Sequence, residues 1–303
     1  MSVRYDPLLT RLLAREIELR WGGIGVRSLG MDPERSAASV RFADGSSLLT
    51  MFDRSAGFVV PADGDPLEGA GVRVTRFGRM SLASVEAPPD ERALVLWLAE
   101  DDGTIGAGIA IELHTNRWNV LCLAPPRGSP DDEARSHDET SPHGEWRVRY
   151  ALWTRDIAGR RVGPGEPYAI PRSTRRAPES APDETEWNAW MASVSQRPVP
   201  EGEGGRDPVR TAVLETWSWT SALNVEWLLG DTDGTQGETN ESLGRYGEFH
   251  ALARRLDLTG VETTPPVWLT SRRWGTQPYP HRLGDDAAAE YPGLFAAMEA
   301  ALD

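Results

Sequence analysis

The alternation of apolar and polar residues divides the chain into a strand-rich first half and a helical second half. Asp6-Pro7 precedes leucines at helical spacing, and Gly22-Gly23 follows them. This pattern is typical of a helix that is capped by aspartate, starts with proline and ends before glycine. Alternating apolar runs then predict β-strands over residues 38–42, 47–52, 58–60, 93–98 and 146–154, with Asp44-Gly45 as a hairpin turn.

One predicted hairpin has an unusual turn. The stretch "IELHTNRWNVLCL", residues 111–123, has apolar residues at both ends and a polar cluster between them. Two short strands joined by a turn would produce this pattern. The turn holds His114, Arg117 and Asn119, where a bare Asn-Gly would close a hairpin.

From residue 207 the pattern becomes helical. The stretches "VRTAVLETWSW" and "TSALNVEWLLG" predict a helical hairpin, in which Thr220 or Ser221 caps the second helix and Gly230 ends it. Further helices are predicted over 244–258 and 287–303, with a strand over 265–274 between them. The predicted fold class is therefore α+β, with a mostly antiparallel β domain followed by a helical domain.

Two stretches rich in proline, glycine and acidic residues predict surface loops, over 125–144 and 172–207. The second has only one short apolar segment, "EWNAWMASV", and predicts a linker. We therefore divide the chain into a β-rich domain over 1–172, a linker over 173–206 and a helical domain over 207–262. A strand and helix over 263–303 complete the chain, and we expect them to return to the first domain.

Composition limits the kind of partner. The 303-residue chain has a net charge of −14, which argues against a protein that coats nucleic acid, so any RNA contact must be local. All 32 basic residues are arginine, which binds phosphate in bidentate fashion and stacks on bases.

No apolar run is long enough to span a membrane, and there is no signal-peptide pattern. With Cys122 as the single cysteine, we expect a cytoplasmic protein without a membrane partner.

Familiar catalytic motifs are absent from the sequence. It has no G-x-S-x-G elbow, no dinucleotide fingerprint between a strand and a helix, and no lysine for Schiff-base chemistry. His137 and His143 flank Asp138 and Glu139, but their spacing matches no common metal site, and a solvated acidic loop explains them better. We expect neither a metal nor a cofactor.

Four segments, in order, resemble the NFACT family, which is named after fibronectin-binding protein A and includes the RqcH and NEMF ribosome quality-control factors. The first helix resembles the family's D-x-x-L-x-x-L-x-x-E form, and residues 79–98 resemble its strand pair with an Asp-Arg start. Residues 111–123 resemble its E-L-x-x-x-x-x-N-x-x-L hairpin, and 160–171 its R-x-x-x-P-G-x-x-Y-x-x-P segment. The residues that carry the resemblance, at the motif spacing or one position from it, are Asp6, Leu9, Leu12, Leu13, Glu16, Glu112, Leu113, Asn119 and Leu121.

The resemblance implies a first domain similar in fold to the N-terminal domain of formamidopyrimidine-DNA glycosylases, followed by a helix-hairpin-helix domain that includes 216–230. Glycosylase chemistry is not implied, because those enzymes use an N-terminal proline and an adjacent glutamate, and this chain begins Met-Ser-Val-Arg. The family's coiled coil and C-terminal RNA-binding domain have no counterpart here. We therefore expect a fragment of a longer protein or a short member of the family.

The resemblance also implies a site. Asp6, Glu91 and Arg92, with Asp90 adjacent, stand where the family has residues implicated in handling tRNA, and Glu91 replaces an aspartate. We expect phosphate contacts from clustered arginines, namely Arg73, Arg76, Arg79 and Arg272-Arg273. Glu112 and Asn119 are expected to shape the hairpin, Asn119 through side chain to backbone hydrogen bonds.

The implied function is that of an RqcH/NEMF-like factor, which binds tRNA on obstructed large ribosomal subunits and supports C-terminal tailing of stalled chains. Such a chain would not be an enzyme, because the ribosome would form the bonds. Two alternatives stay open. One is a protein-interaction or fibronectin-binding adhesion module without RNA binding, and the other is a DNA-processing enzyme of glycosylase-like fold.

Overall fold

The structure is a computed structural model of the chain. It describes residues 3–52, 57–69, 71–114, 117–125, 146–157, 160–171, 175, 180–196, 207–230, 236–257, 262–272, 275–283 and 287–302.

The predicted N-terminal helix is confirmed as α1, Pro7–Trp21. The Asp6 side chain caps it by accepting a hydrogen bond from the Leu9 amide at 2.8 Å, and Pro7 occupies the first helical position. Leu9, Leu12 and Leu13 pack into one hydrophobic core, whereas Leu8 packs into a second. The start of α1 therefore lies between two cores.

The first half forms two five-stranded antiparallel sheets. The first sheet has the order β4-β3-β2-β1-β5 and the second the order β10-β9-β8-β7-β6. The strands of the first are β1 Val26–Asp32, β2 Ala37–Phe42, β3 Ser46–Phe52, β4 Gly57–Asp63 and β5 Arg73–Arg76. The strands of the second are β6 Ser81–Glu86, β7 Ala93–Ala99, β8 Ile105–Glu112, β9 Asn119–Ala124 and β10 Arg147–Ala151. A two-stranded ribbon of β11 Arg155–Ile157 and β12 Arg160–Val162 follows.

Strand β7 is buried along its whole length because both of its faces are covered. Leu94, Leu96 and Leu98 face the central core, which they share with α1 and the first sheet. Val95 and Trp97 face a smaller cluster on the other side, which includes Trp146. The start of β7, just after Arg92, is thereby held from two sides.

Four helices follow the β half. They are α2 Glu184–Ser195, α3 Pro208–Thr216, α4 Val225–Leu229 and α5 Gln236–Asp257. Their core contains a group of aromatic rings from α2, α5 and the end of α3, where Trp217 follows the helix: Trp187 lies 5.2 Å from Trp217 and 5.4 Å from Tyr246 between ring centroids. Part of the stretch expected as a linker is thus a helix packed into a core, since α2 buries Trp187 completely.

The second helix of the expected hairpin begins later than predicted. Helix α4 starts at Val225 after Asn224, whereas Thr220 and Ser221 lie in the preceding turn. Ser221 nevertheless makes the contacts of a cap in that turn: its Oγ accepts a hydrogen bond from the Leu223 amide at 3.1 Å while it donates to Asp6, and Asn224 Oδ1 accepts from the Ser221 amide at 2.9 Å. Thr220 Oγ1 donates to the Val213 carbonyl at 3.0 Å. Gly230 ends α4 with a positive φ of 67°, as predicted.

The C-terminal segment packs against the first half. It forms β13 Val267–Arg272, β14 Gly275–Tyr279, β15 Ala287–Tyr291 and α6 Leu294–Leu302, and the sheet order is β14-β13-β15. Phe295 and Met298 lie in the central core. The Glu16 carboxylate of α1 accepts hydrogen bonds from the Leu294 amide and, at 2.7 Å, from the Phe295 amide, and so caps α6.

The mostly antiparallel α+β class is confirmed, whereas the likeness to glycosylases and the helix-hairpin-helix assignment stay predictions. No helix within the described ranges is long and apolar enough to cross a membrane.

Glu16→Ala should lower the free energy of unfolding by about 2–4 kcal/mol, because it leaves two buried amides at the start of α6 without their charged acceptor. Urea unfolding would measure this. Glu18→Ala is the matched control, since Glu18 is 32% exposed and pairs with Arg15 within α1, and such a pair contributes about 1 kcal/mol at most. Equal loss in the two variants would contradict the capping role.

Candidate functional site

A cavity of about 630 Å³ lies between the β sheets and the helices, at the start of α1. Its walls come from distant parts of the chain: the N-terminal residues, the second sheet with its loops, and the turn between α3 and α4. The charged and imidazole side chains that line it are Arg4, Asp6, Glu91, Arg92, Glu112, His114, Arg117, Arg160 and Arg175. Five arginines therefore face three carboxylates, in a chain where acidic residues outnumber basic ones by 46 to 32.

Asp6 joins the three parts of the molecule at the base of the cavity. One carboxylate oxygen caps α1, and the other accepts hydrogen bonds from Ser221 Oγ and Tyr279 Oη, both at 2.7 Å. Burial raises the pKa of Asp6, although these bonds and the charge of Arg92 act in the opposite direction. Asp6 is only 2% exposed, so it positions the cavity wall and does not present a free carboxylate to a ligand.

Glu91 and Arg92 stand where the chain enters β7. The Arg92 carbonyl accepts a hydrogen bond from the Leu113 amide at 2.7 Å, which fixes this backbone to the end of β8. Burial lowers the pKa of Arg92, and the charges of Arg175 and Arg117 act in the same direction against the effect of Glu91. Burial raises the pKa of Glu91. Like charges are thus brought together around Arg92.

His114 is the neutral member of this wall. Its Nε2 lies 3.6 Å from Glu91 Oε2, which is longer than a hydrogen bond, and this nitrogen has no hydrogen-bond partner within the described part of the chain. Burial lowers the pKa of His114 to about 4, and the charges of Arg92, Arg160 and Arg117 add to that effect. The imidazole is therefore uncharged at neutral pH.

Two of the arginines are held by the fold itself. Arg160 Nη2 donates to Glu112 Oε1 at 2.8 Å and to the Ala169 carbonyl at 3.1 Å. Arg175 Nη1 donates to the carbonyls of Leu214 and Thr220, at 3.2 Å and 2.9 Å. Both guanidinium groups are therefore oriented before any ligand arrives.

Glu112 is the last residue of β8 and Asn119 is the first residue of β9, and the two are paired across the hairpin. Asn119 Oδ1 accepts hydrogen bonds from the amides of Val120 and Trp153, and Nδ2 donates to the Trp153 carbonyl at 2.9 Å. Asn119 is 1% exposed. It fastens the hairpin to the turn after β10 and does not line the cavity.

The cavity brings together Asp6, Glu91, Arg92 and Glu112 of the expected site residues, but not the others. Asp90 is buried and does not line the cavity, although its charge acts on Glu91 as well as on Arg11. Arg73 and Arg76 lie on β5, at the edge of the first sheet, and Arg79 lines a separate recess with three acidic residues. Arg273 and the side chain of Arg272 lie outside the part of the chain that the structure describes.

Among the charged and imidazole side chains of the lining, five were not predicted as site residues from the sequence: Arg4, His114, Arg117, Arg160 and Arg175. Arg160 could have been found, because it begins the segment that resembles R-x-x-x-P-G-x-x-Y-x-x-P, whose last residue, Pro171, also lines the cavity. His114 and Arg117 belong to the β8–β9 turn, whose polar cluster is larger than a hairpin turn requires. Arg175 gave no signal, since it lies in a stretch without any periodicity.

A metal centre finds no support among the described residues, where no group of three His, Cys, Asp or Glu side chains could hold an ion. The loop with His137, Asp138, Glu139 and His143 lies outside them.

Comparison with known proteins gives a fold but no family. No family model matches the sequence, and no curated protein matches it significantly. Among solved structures, the N-terminal part of the fibronectin/fibrinogen-binding protein FBPS from Streptococcus suis superposes with a TM-score of 0.60 at 10% identity, over 97% of both chains. The chain has the fold of that N-terminal part. The N-terminal domain of PavA from Streptococcus pneumoniae matches with a TM-score of 0.44 at 13% identity, over 91% of this chain and 94% of PavA's.

This likeness agrees with the expected resemblance at the level of the N-terminal region of a fibronectin-binding protein. At 10% identity it defines the fold alone.

The His114 ring should titrate near pH 4, and not near the ordinary 6.5, in an NMR titration in which His114→Gln identifies its signal. Because the unfolded chain takes up this proton at about 6.5, stability should fall as the pH drops from about 6.5 to about 4. His114→Gln should flatten that part of the stability profile. A midpoint near 6.5 would mean that the ring is solvated and far from the arginines.

Proposed function

We propose that the chain binds RNA, and that it does so as an RqcH/NEMF-like factor that engages tRNA on obstructed large ribosomal subunits. One observation carries the proposal: five arginines, Arg92 among them, converge on the cavity that also holds Asp6 and Glu91, in a chain with a net charge of −14. The resemblance drawn from the sequence motifs supplies the identity of the partner.

Crowded arginines favour an anionic ligand. Arg117 and Arg175 are both close enough to Arg92 to disfavour its charge, yet arginine stays protonated in proteins. Their repulsion is relieved when a phosphate lies between them, and a bidentate guanidinium–phosphate pair is among the stronger hydrogen-bonded contacts. An acidic exterior around one basic cavity would also direct a polyanion to that cavity and away from the remaining surface.

The residues of the cavity would have different roles in RNA binding. Arg92, Arg117 and Arg175 would contact phosphate or base edges, while Asp6 would hold the Ser221 turn and Tyr279 in place from below. Arg73, Arg76 and Arg79 would add only outer phosphate contacts, because they lie away from the cavity. The chain would form no bond itself and would need no cofactor, since the ribosome would carry out the tailing reaction.

A second candidate function follows from the fold comparison. FBPS is named for binding fibronectin or fibrinogen, so the same fold could serve as a protein-interaction module here. The acidic composition suits such a role better than broad RNA binding does. This candidate predicts no dependence on the cavity arginines and weak affinity for tRNA.

Fluorescence anisotropy with labelled tRNA, repeated from low to moderate salt, would test RNA binding. Each of Arg92→Gln and Arg175→Gln should weaken binding by about tenfold and lower the slope of log affinity against log salt by about 1, since each removes one phosphate contact. Arg254→Gln is the control, because Arg254 is exposed at the end of α5 and does not line the cavity.

Co-sedimentation with large ribosomal subunits tests whether the chain binds tRNA on the ribosome. The chain should prefer subunits that carry peptidyl-tRNA over empty ones, and Arg92→Gln should reduce that preference. Equal affinities for tRNA in the three arginine variants, or binding to fibronectin without any binding to tRNA, would favour the protein-interaction function.

A further inference from the structure

We infer that the cavity takes a terminal phosphate, that is, a phosphate monoester at the end of an RNA strand or on a mononucleotide, and that it discriminates against internal phosphodiesters. This inference rests on the proposed function, because it names the part of the RNA that the same cavity binds. It is carried by the size of the cavity, the charges that converge in it and the chemistry of its walls.

The volume suits a chain end. About 630 Å³ lies in the range of cavities that bury a small ligand, and a single nucleotide is a ligand of that class. A folded RNA helix would lie across the opening of the cavity and would not enter it. A strand end could place its last nucleotide inside, between the β7 entry and the turn that contains Ser221.

The convergent charges suit a dianion. Arg92, Arg117 and Arg175 come from separate parts of the chain and line the same cavity, where Arg117 and Arg175 both act on the charge of Arg92. A phosphate monoester carries a charge of about −1.5 to −2 at neutral pH, whereas each internal phosphodiester carries −1. The more highly charged group gains more from three guanidinium groups around one point. Since carbonyls orient Arg175 and Glu112 orients Arg160, little ordering is left for the ligand to impose.

The carboxylates of the cavity leave room for such an anion. Asp6 accepts three hydrogen bonds from its own wall, and Glu112 is paired with Arg160. The third carboxylate, Glu91, faces the unpartnered Nε2 of His114. An acceptor and an imidazole side by side suit the hydroxyls of a ribose or the polar edge of a base, next to the phosphate.

The cavity walls lack the exposed aromatic rings that bind the internal nucleotides of a single strand. Proteins that follow a single strand stack its bases on exposed aromatic rings. Among the described residues of the lining, Tyr5 is the single Phe, Tyr or Trp, and it is 3% exposed with its hydroxyl bonded to the Val59 amide at 3.1 Å. Recognition in this cavity is therefore directed at phosphate and polar edges.

Matched short RNAs of one sequence test the inference. One pair differs only in a 5′-phosphate against a 5′-hydroxyl, with the dye at the 3′ end, and a second pair differs only in a 3′-phosphate, with the dye at the 5′ end. At least one phosphorylated strand should bind about tenfold more tightly than its partner, a difference of about 1.4 kcal/mol. Adenosine monophosphate should compete with it, and adenosine should not.

Variants connect the preference to the cavity. Arg117→Gln should reduce the preference to less than about twofold, and because Arg117 is exposed, a failure to fold is not expected to confuse the result. Arg175→Gln should have the same effect, whereas Arg254→Gln should keep the full preference.

The outcomes separate this inference from the proposed function. If tRNA binds through the cavity arginines while phosphorylated and unphosphorylated strands bind equally, the terminal-phosphate inference is overturned and the RNA-binding function stands. If adenosine monophosphate binds with the expected arginine dependence but no RNA does, the phosphate site stands and the RNA-binding function is overturned. If no nucleotide binds in any form, both are overturned.

Discussion

The arrangement of this molecule depends on one buried carboxylate. Asp6 accepts hydrogen bonds from Leu9, Ser221 and Tyr279, which lie 3, 215 and 273 residues away along the chain. A carboxylate withdrawn from water costs several kcal/mol unless such donors compensate it. The start of α1, the turn between α3 and α4 and the strand β14 must therefore meet at one point. The cavity is the space left beside that point, and it exists only in the assembled molecule.

The second constraint is electrostatic. The chain carries 46 acidic residues, yet the walls of one cavity bring five arginines together. Two of these, Arg160 and Arg175, are held by Glu112 and by backbone carbonyls, so their guanidinium groups cannot turn away freely. A cluster of like charges that the fold keeps in place is typical of a site that binds the opposite charge. This is the physical basis on which the proposed RNA binding rests.

Local features of the fold could be predicted from the sequence because their causes are local. The cap at Asp6, the proline at the first position of α1 and the hairpin turn at Asp44-Gly45 each depend on a few adjacent residues. The β8–β9 hairpin was predicted for the same reason. Helix α2 was not predicted, because its surroundings are rich in proline and acidic residues. Asp183 caps it locally by accepting from the Glu186 amide, and the packing of Trp187 into the helical core holds it in place.

Only part of the site could be predicted from the sequence, because the other part depends on contacts between residues far apart along the chain. Glu91 and Arg92 are adjacent in sequence and could be carried over from the family motif, but nothing near Arg175 shows that its guanidinium reaches Leu214 and Thr220. Ser221 was expected to cap a helix, which is the usual local use of serine. Its Oγ does accept a hydrogen bond from the Leu223 amide, but the same hydroxyl also donates to Asp6, 215 residues away, and no local pattern could predict that second contact. Arg73 and Arg76 were expected in the site, whereas β5 holds them at a sheet edge.

The most direct test of this account is hydrogen–deuterium exchange of the whole chain, measured by mass spectrometry with and without tRNA. Slower exchange on tRNA binding is expected in three segments that line the cavity together, at residues 91–92, 112–114 and 220–223, with little change along β5. Protection confined to the edge of the first sheet, or no protection at all with bound tRNA, would contradict the claim that the arginine-lined cavity is the binding site.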